Sequence, residues 1–200
     1  YKHSVVIFLT YVYIAEICVI NTLESTVLKM ALYLGLFATI IYTNVLKPIT
    51  WIKNISVAGI IASSPIVGAL SVTEVLISNN DVIHVINTAN QALLIKMSAM
   101  IFFIFFFKEI LMDVQDYEDD KNSGIVTVPV KYGKKNAILT SLSVLTTMIV
   151  ISHDNTLLNL SSLIMILYTV LIYLDEKYIP QLFSQFKYLS AIMIASYTIS

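Results

Sequence analysis

"QALLIKMSAMIFFIFFFKEILMDVQDYEDDKNSG", Gln91 to Gly124, decides the fold. It begins as an apolar run long enough to cross a bilayer core, which takes about 20 helical residues. It ends in a burst of carboxylates: of the chain's 13 Asp and Glu, six fall between Glu109 and Asp120. A soluble amphipathic helix carries its charges as a stripe along its length, whereas charge gathered at one end suits a helix that leaves lipid for water.

The rest of the chain agrees with this segment. Hydrophobic residues make up 58% and charged residues 12% of the sequence, against about 25% charged in an ordinary globular chain. Seven helix-length apolar spans are predicted, at roughly 4–20, 26–45, 55–78, 91–112, 136–152, 157–174 and 188–200. No ten-residue alternation suggests a β-barrel. The expected fold class is all-α, a multi-pass transmembrane helical bundle in the lipid bilayer. The chain has one cysteine, Cys18, which excludes a disulfide framework and a Cys-based metal site. The chain starts at Tyr1, within a few residues of an apolar run, and an N-terminal portion is expected to precede it.

Charge fixes which segments share a membrane face. All 12 basic residues are Lys, and assigning each to its nearer face places ten together, leaving only Lys29 and Lys96 on the other. That asymmetry marks a cytoplasmic-type face. It puts "YTNVLKP", 42–48, and "DVQDYEDD", 113–120, on the same side.

Glu109, Asp113, Asp116 and Asp120 are spaced 4, 3 and 4, so a helix continuing past the bilayer surface would align them on one face. Like charges at that spacing repel, and a helix C-terminus favours cations. A bound divalent cation reverses both penalties. Asp116 and Asp120, one turn apart, suit Mg²⁺, which takes oxygen ligands and is commonly shared with substrate phosphates. The alternative reading is a solvated acidic loop, and spacing alone leaves both open. An EF-hand is excluded because its alternating ligands and closing Glu are absent. "DKNSG" reads as a turn, with Gly124 free to take a positive φ.

The facing element is "YTNVLKPITWIKN", 42–54. Pro48 stops a helix or bends it at Lys47, which leaves Tyr42, Lys47 and Lys53 at the mouth of the bundle. An ammonium is a point-charge partner for phosphate; the alternative is a snorkelling lysine beside a belt tyrosine. Carboxylates and lysines opening together onto an apolar bundle suit a ligand with an anionic, metal-chelating head and a long apolar tail. A prenyl diphosphate has that shape.

At this point the sequence resembles the UbiA superfamily of intramembrane prenyltransferases. "KEILMDVQDYEDDKNSGIVTVPVKYG", 108–133, is similar to the family's second aspartate-rich motif at Lys108, Glu109, Asp113, Asp116, Glu118, Asp120, Gly124, Thr127, Pro129 and Gly133, with Asp119 where the family has Gly. "YTNVLK" resembles its Y-(S/T)-x-x-L-K segment, and "KNISVA" its G-N-x-x-x-A stretch, with Lys53 in place of Gly. The resemblance implies one prenyltransferase domain over 1–200, with seven helices of a nine-helix fold, lacking the first two helices and the first aspartate-rich motif. It implies Mg²⁺ at Asp113, Asp116 and Asp120, and diphosphate contacts from Tyr42, Lys47, Asn54 and Lys108. Asp116, Asp120 and Lys47 would be the catalytic residues.

The implied partners are a prenyl diphosphate donor and a lipophilic acceptor, with no nucleic acid. The wording is most similar to the digeranylgeranylglyceryl-phosphate-synthase-like branch, with geranylgeranyl diphosphate as donor and a geranylgeranylglyceryl phosphate as acceptor. Chlorophyll synthase and homogentisate or quinone prenyltransferases are near relatives, so plastid and cell membrane both stay open. The 200 residues alone are expected to be inactive. A non-catalytic transporter or inactive paralogue is the alternative of another class. A CDP-alcohol phosphotransferase is discounted because its motif needs Arg. His3, His84 and His153 read as ordinary interfacial residues, Glu16 and Glu74 as helix-end or packing residues, and Trp51 as an interfacial anchor.

Overall fold

The computed structural model of the chain describes residues 13–14, 16–18, 20–21, 23, 26–46, 49–69, 88–151 and 155–199. Among these residues every regular element is helical. Helix α1, Thr26–Ile41, runs into a π-helical segment, Tyr42–Leu46, and is followed by α2, Thr50–Ala62. The long α3, Thr88–Gln115, is continued by the short α4, Tyr117–Asn122, and then by α5, Val128–Tyr132. Helices α6, Lys134–Ile151, and α7, Thr156–Leu174, precede a single 3₁₀ turn, Glu176–Tyr178, and the final helix α8, Ile179–Ile199.

Helix α3 is the axis of the bundle. Met100, Ile104, Phe107, Leu111 and Val114, three or four residues apart, form a buried stripe along it. Helices α2 and α6 pack against α3, α7 packs between α6 and α8, and α8 returns to touch α3. Leu145, Met148, Leu158, Met165, Ile172 and Leu182 fill the interior from the other helices.

The outward faces are as apolar as the inner ones. Leu34, Ile95, Val150, Leu167 and Leu174 are all exposed, a pattern that a bilayer tolerates and water does not. Several buried hydroxyls are satisfied within their own helices: Ser141 donates to Ile138 O at 2.7 Å, Ser162 to Leu158 O at 2.8 Å and Thr169 to Met165 O at 2.7 Å. Small residues with self-satisfied hydroxyls let helix backbones approach closely without leaving polar atoms in hydrocarbon.

Among the described residues three helices combine the length and hydropathy needed to cross a membrane: Thr50–Ala69, Lys134–Ile151 and Thr156–Leu174. They match the third, fifth and sixth expected spans. Leu28–Ile41, in the second, is apolar but shorter. Helix α3 contains the fourth; its 28 residues extend about 42 Å at 1.5 Å per residue, more than the ~30 Å hydrocarbon core. That length is enough for its acidic end to extend past the hydrocarbon. Most of the first expected span and the end of the third lie outside the described residues.

Two boundaries differ from expectation. Helix α2 starts at Thr50 rather than near 55, and α8 starts at Ile179 rather than near 188. In α8, Ile179, Leu182, Phe186, Leu189 and Met193 are buried at alternating intervals of three and four. Gln181, Ser184, Gln185 and Lys187 lower the local hydropathy but are exposed, off that stripe. Pro180 sits in the first turn, where a helix does not need its N–H.

Candidate functional site

The site forms where the start of α2 meets the end of α3. Lys53 Nζ donates to Asp113 Oδ1 at 2.5 Å, and Asn54 Nδ2 donates to Asp113 Oδ2 at 2.9 Å. Asp113 is 2% exposed and Asn54 fully buried, so neighbouring residues of α2 engage both oxygens of one buried carboxylate. A carboxylate so placed is stable only when paired and hydrogen-bonded. Burial brings cation and amide donor together because α2 and α3 pack side by side.

The loop after α3 is built to hold its shape. Helix geometry breaks for one residue at Asp116, the cap of α4, whose side chain makes no capping bond. The chain stays nearly continuous: Asp116 N donates to Met112 O and Asp120 N to Asp116 O, each at 2.9 Å. The acidic residues thus keep close to one helical register across the break. Helix α4 ends in a Schellman closure, with Ile125 N donating to Asp120 O at 2.9 Å and Gly124 N to Lys121 O at 3.3 Å. This closure requires a left-handed residue, and Gly124 supplies it with φ of 71°. The reversed chain then returns to α2, where Thr50 Oγ1 donates to Val126 O at 2.7 Å. Trp51 packs between Phe106 and Tyr132, with ring centroids 6.4 and 6.0 Å away.

Asp120 stands in contrast to Asp113. Its Oδ2 is buried and receives no hydrogen bond from any described residue. It lies close enough for its charge to act on both Lys53 and Asp113. Asp116 is exposed. Glu109 and Tyr42 complete the cluster, each within electrostatic reach of Lys53 and Asp113. Buried acceptors without partners also occur at Asn54 Oδ1 and Thr127 Oγ1.

The structure therefore brings together Tyr42, Asn54, Asp113 and Asp120 of the expected site residues, with Asp116 at the rim. Lys47, together with Pro48, lies outside the described residues. Lys108 sits 5.9 Å from the ring centroids of both Phe105 and Phe186, a cation–π position. Among the described residues no group of three His, Cys, Asp or Glu side chains is arranged to hold a metal ion. Asp120, with its orphaned oxygen, and Asp116, one turn away and open to solvent, still fit a hard cation that completes its shell with water and substrate oxygens.

Two features escape a reading of spacing alone. Lys53 is the salt-bridge partner of Asp113, and Thr50 latches the acidic loop to α2. The sequence does carry a hint of the first: a lysine and an asparagine side by side in an otherwise apolar helix need a polar partner. His84, His153 and Glu74 lie outside the described residues, and Glu16 is exposed.

On the same face, lysines rest on aromatic rings. Lys134 and Lys121 lie 4.8 and 5.6 Å from the Tyr117 ring, and Lys135 lies 5.6 Å from Tyr173. Lys134 also pairs with Glu176 at 2.7 Å, joining the start of α6 to the turn after α7. In that turn Lys177 hydrogen-bonds Asp175 and holds its carboxyl below the usual carboxylate range.

Comparison with known proteins gives the same direction. The model of the family described as UbiA prenyltransferase matches residues 2–186. The digeranylgeranylglyceryl phosphate synthase of Pyrococcus horikoshii is 33% identical over 101 residues, covering 50% of this chain and 31% of that protein. The synthase of the same name from Pyrococcus abyssi is 35% identical over 109 residues, covering 54% and 34%. That from Thermococcus kodakarensis is 28% identical over 110 residues, covering 55% and 33%. The chain thus aligns with about a third of the length of these relatives. No solved structure matches.

Proposed function

The chain belongs to the UbiA prenyltransferase family, and from that premise we propose that it transfers a prenyl group from a prenyl diphosphate to a lipophilic acceptor. The observation that carries the reading is the pairing of a fully engaged Asp113 with an unpartnered Asp120 at the end of an apolar bundle. The finer assignment rests on the named relatives: geranylgeranyl diphosphate as donor and a geranylgeranylglyceryl phosphate as acceptor.

Asp116 and Asp120 would hold Mg²⁺, which when bound neutralises charge on the diphosphate leaving group. The chain's own residues do the rest. Lys53 and Asn54 fix the Asp113 carboxylate, which keeps α3 in register with α2 and so sets where Asp116 and Asp120 stand. Tyr42 and Lys47, from the facing segment, would meet the same diphosphate. The apolar bundle would accept the prenyl chain and keep water from the allylic carbon. The donor's C–O bond breaks with its electron pair leaving on the diphosphate. The acceptor oxygen then forms the new C–O bond and gives up its proton.

The test is to incubate membranes carrying the full-length protein with labelled geranylgeranyl diphosphate and a panel of acceptors. Label should move into a lipid product with a glyceryl-phosphate acceptor. Transfer only to a chlorophyllide or a homogentisate-type phenol would reassign the acceptor, and transfer to none would overturn the reading.

A further inference from the structure

Three carboxylates, Glu109, Asp113 and Asp120, lie within electrostatic reach of the Lys53 ammonium at the mouth of the bundle, with Asp116 exposed at its rim. Asp113 is the most buried of them, and its two oxygens are not equally placed in the literal sense: one faces Lys53 Nζ at 2.5 Å, the other Asn54 Nδ2 at 2.9 Å. A carboxylate has about four lone-pair sites, but at 2% exposure the remaining two are closed off by packed side chains. Mg²⁺ binds oxygen at ~2.0–2.1 Å and retains several waters, so a hydrated ion has no approach to Asp113 unless Lys53 withdraws. Withdrawal would leave a buried carboxylate without its cation, which is the costly outcome.

Lys53 is well suited to stay. Its side chain is 17% exposed, against 3% for that of Asp113, so it is the more open member of the pair. Asp113 takes one of its three donors. Asp120, one step further out, carries the buried oxygen that nothing in the described chain satisfies, and it is near enough to feel the Lys53 charge.

We propose that Lys53 is the resident cation of the site: its ammonium takes the place beside Asp113 that a divalent ion would otherwise fill, leaving the ion to Asp116 and Asp120. The proposal rests on the diphosphate-site reading and deepens it. Part of the positive charge facing the substrate's anionic head then belongs to the protein and does not dissociate. Asp113 is a positioning residue for Lys53, and the site holds fewer divalent ions than its count of carboxylates suggests.

The experiment is Mn²⁺ binding to the purified full-length protein in detergent, read from the free-Mn²⁺ electron paramagnetic resonance signal. The proteins compared are the wild type, Asp113→Asn, Asp120→Asn and Lys53→Met, each first checked for a cooperative melt. Asp113→Asn should leave the Mn²⁺ dissociation constant within about twofold of wild type, while Asp120→Asn weakens it at least tenfold. Lys53→Met, which keeps the apolar stem, should gain an additional or tighter Mn²⁺ site by freeing Asp113; if it fails to melt cooperatively, Lys53→Gln serves in its place. Loss of Mn²⁺ binding in Asp113→Asn equal to that in Asp120→Asn overturns the proposal, as does unchanged stoichiometry and affinity on removing the lysine charge. Failure of the prenyl-transfer reading is separate, because it appears as absent label transfer while these binding differences persist.

Discussion

Lys53 and Asp113, 60 residues apart in sequence, form a part-buried ion pair that joins the first turn of α2 to the last turn of α3. Removing one partner of such a pair leaves an uncompensated charge and costs about 3–5 kcal/mol. Lys53→Met and Asp113→Leu should each destabilise the bundle toward the lower end of that range, since Lys53 is partly exposed. The double variant should lose less than the sum, with a coupling of at least about 1 kcal/mol. Denaturant unfolding in detergent checks this; additive losses would mean that the pair contributes no coupling energy.

Gly124 closes α4 in a left-handed conformation, and a Cβ there meets nothing within 4 Å. The penalty of Gly124→Ala is therefore conformational, about 1–2 kcal/mol. Gly124→Asn should cost less, because Asn tolerates this region. A melting series comparing Ala, Asn and wild type tests the order, and equal melting temperatures for all three would contradict it.

Asn155 caps α7 by accepting from Leu158 N at 3.0 Å, and its amide donates to Ser196 O of α8 at 3.1 Å. Asn155→Ala should lower stability by about 1–2 kcal/mol, the loss of a cap together with an interhelical bond. Asn155→Asp keeps the cap and loses the donor, so it should fall between alanine and wild type. Unfolding midpoints decide the order.

Chelation of divalent ions should stop prenyl transfer by the full-length protein, and added Mg²⁺ should restore it. Transfer that continues undiminished in excess EDTA would remove the metal from the account, since Asp120 would then need another partner for its buried oxygen.

The parts of this fold legible in the sequence are those set by local pattern. The interiors of α3, α6 and α7 are predominantly apolar and nearly free of charge over helix length, and lipid gives such runs one regular solution, a helix. The lysine bias put Tyr42 on the same side as the acidic segment, and Tyr42 does lie within electrostatic reach of Glu109 and Asp113. Gly124 was readable because a turn sequence with glycine in that place has few conformations open to it. The start of α8 was not, because Gln181, Ser184 and Lys187 mask a stripe that only the three-four periodicity reveals. The partner of Asp113 was hidden for another reason. Lys53 and Asn54 reach it only once α2 has packed on α3 at a particular register, and spacing along one helix contains no information about the other. The orphaned oxygen of Asp120 likewise depends on how the chain packs back onto α2 after the reversal at Gly124.

The most direct measurement of the central claim is prenyl transfer by the full-length protein with Asp116→Ala or Asp120→Ala, at matched expression and with a cooperative melt retained. A loss of about 10²–10³-fold or more in turnover is expected, the scale for removing one main electrostatic contributor from a reacting site. Wild-type turnover in either variant would contradict the account.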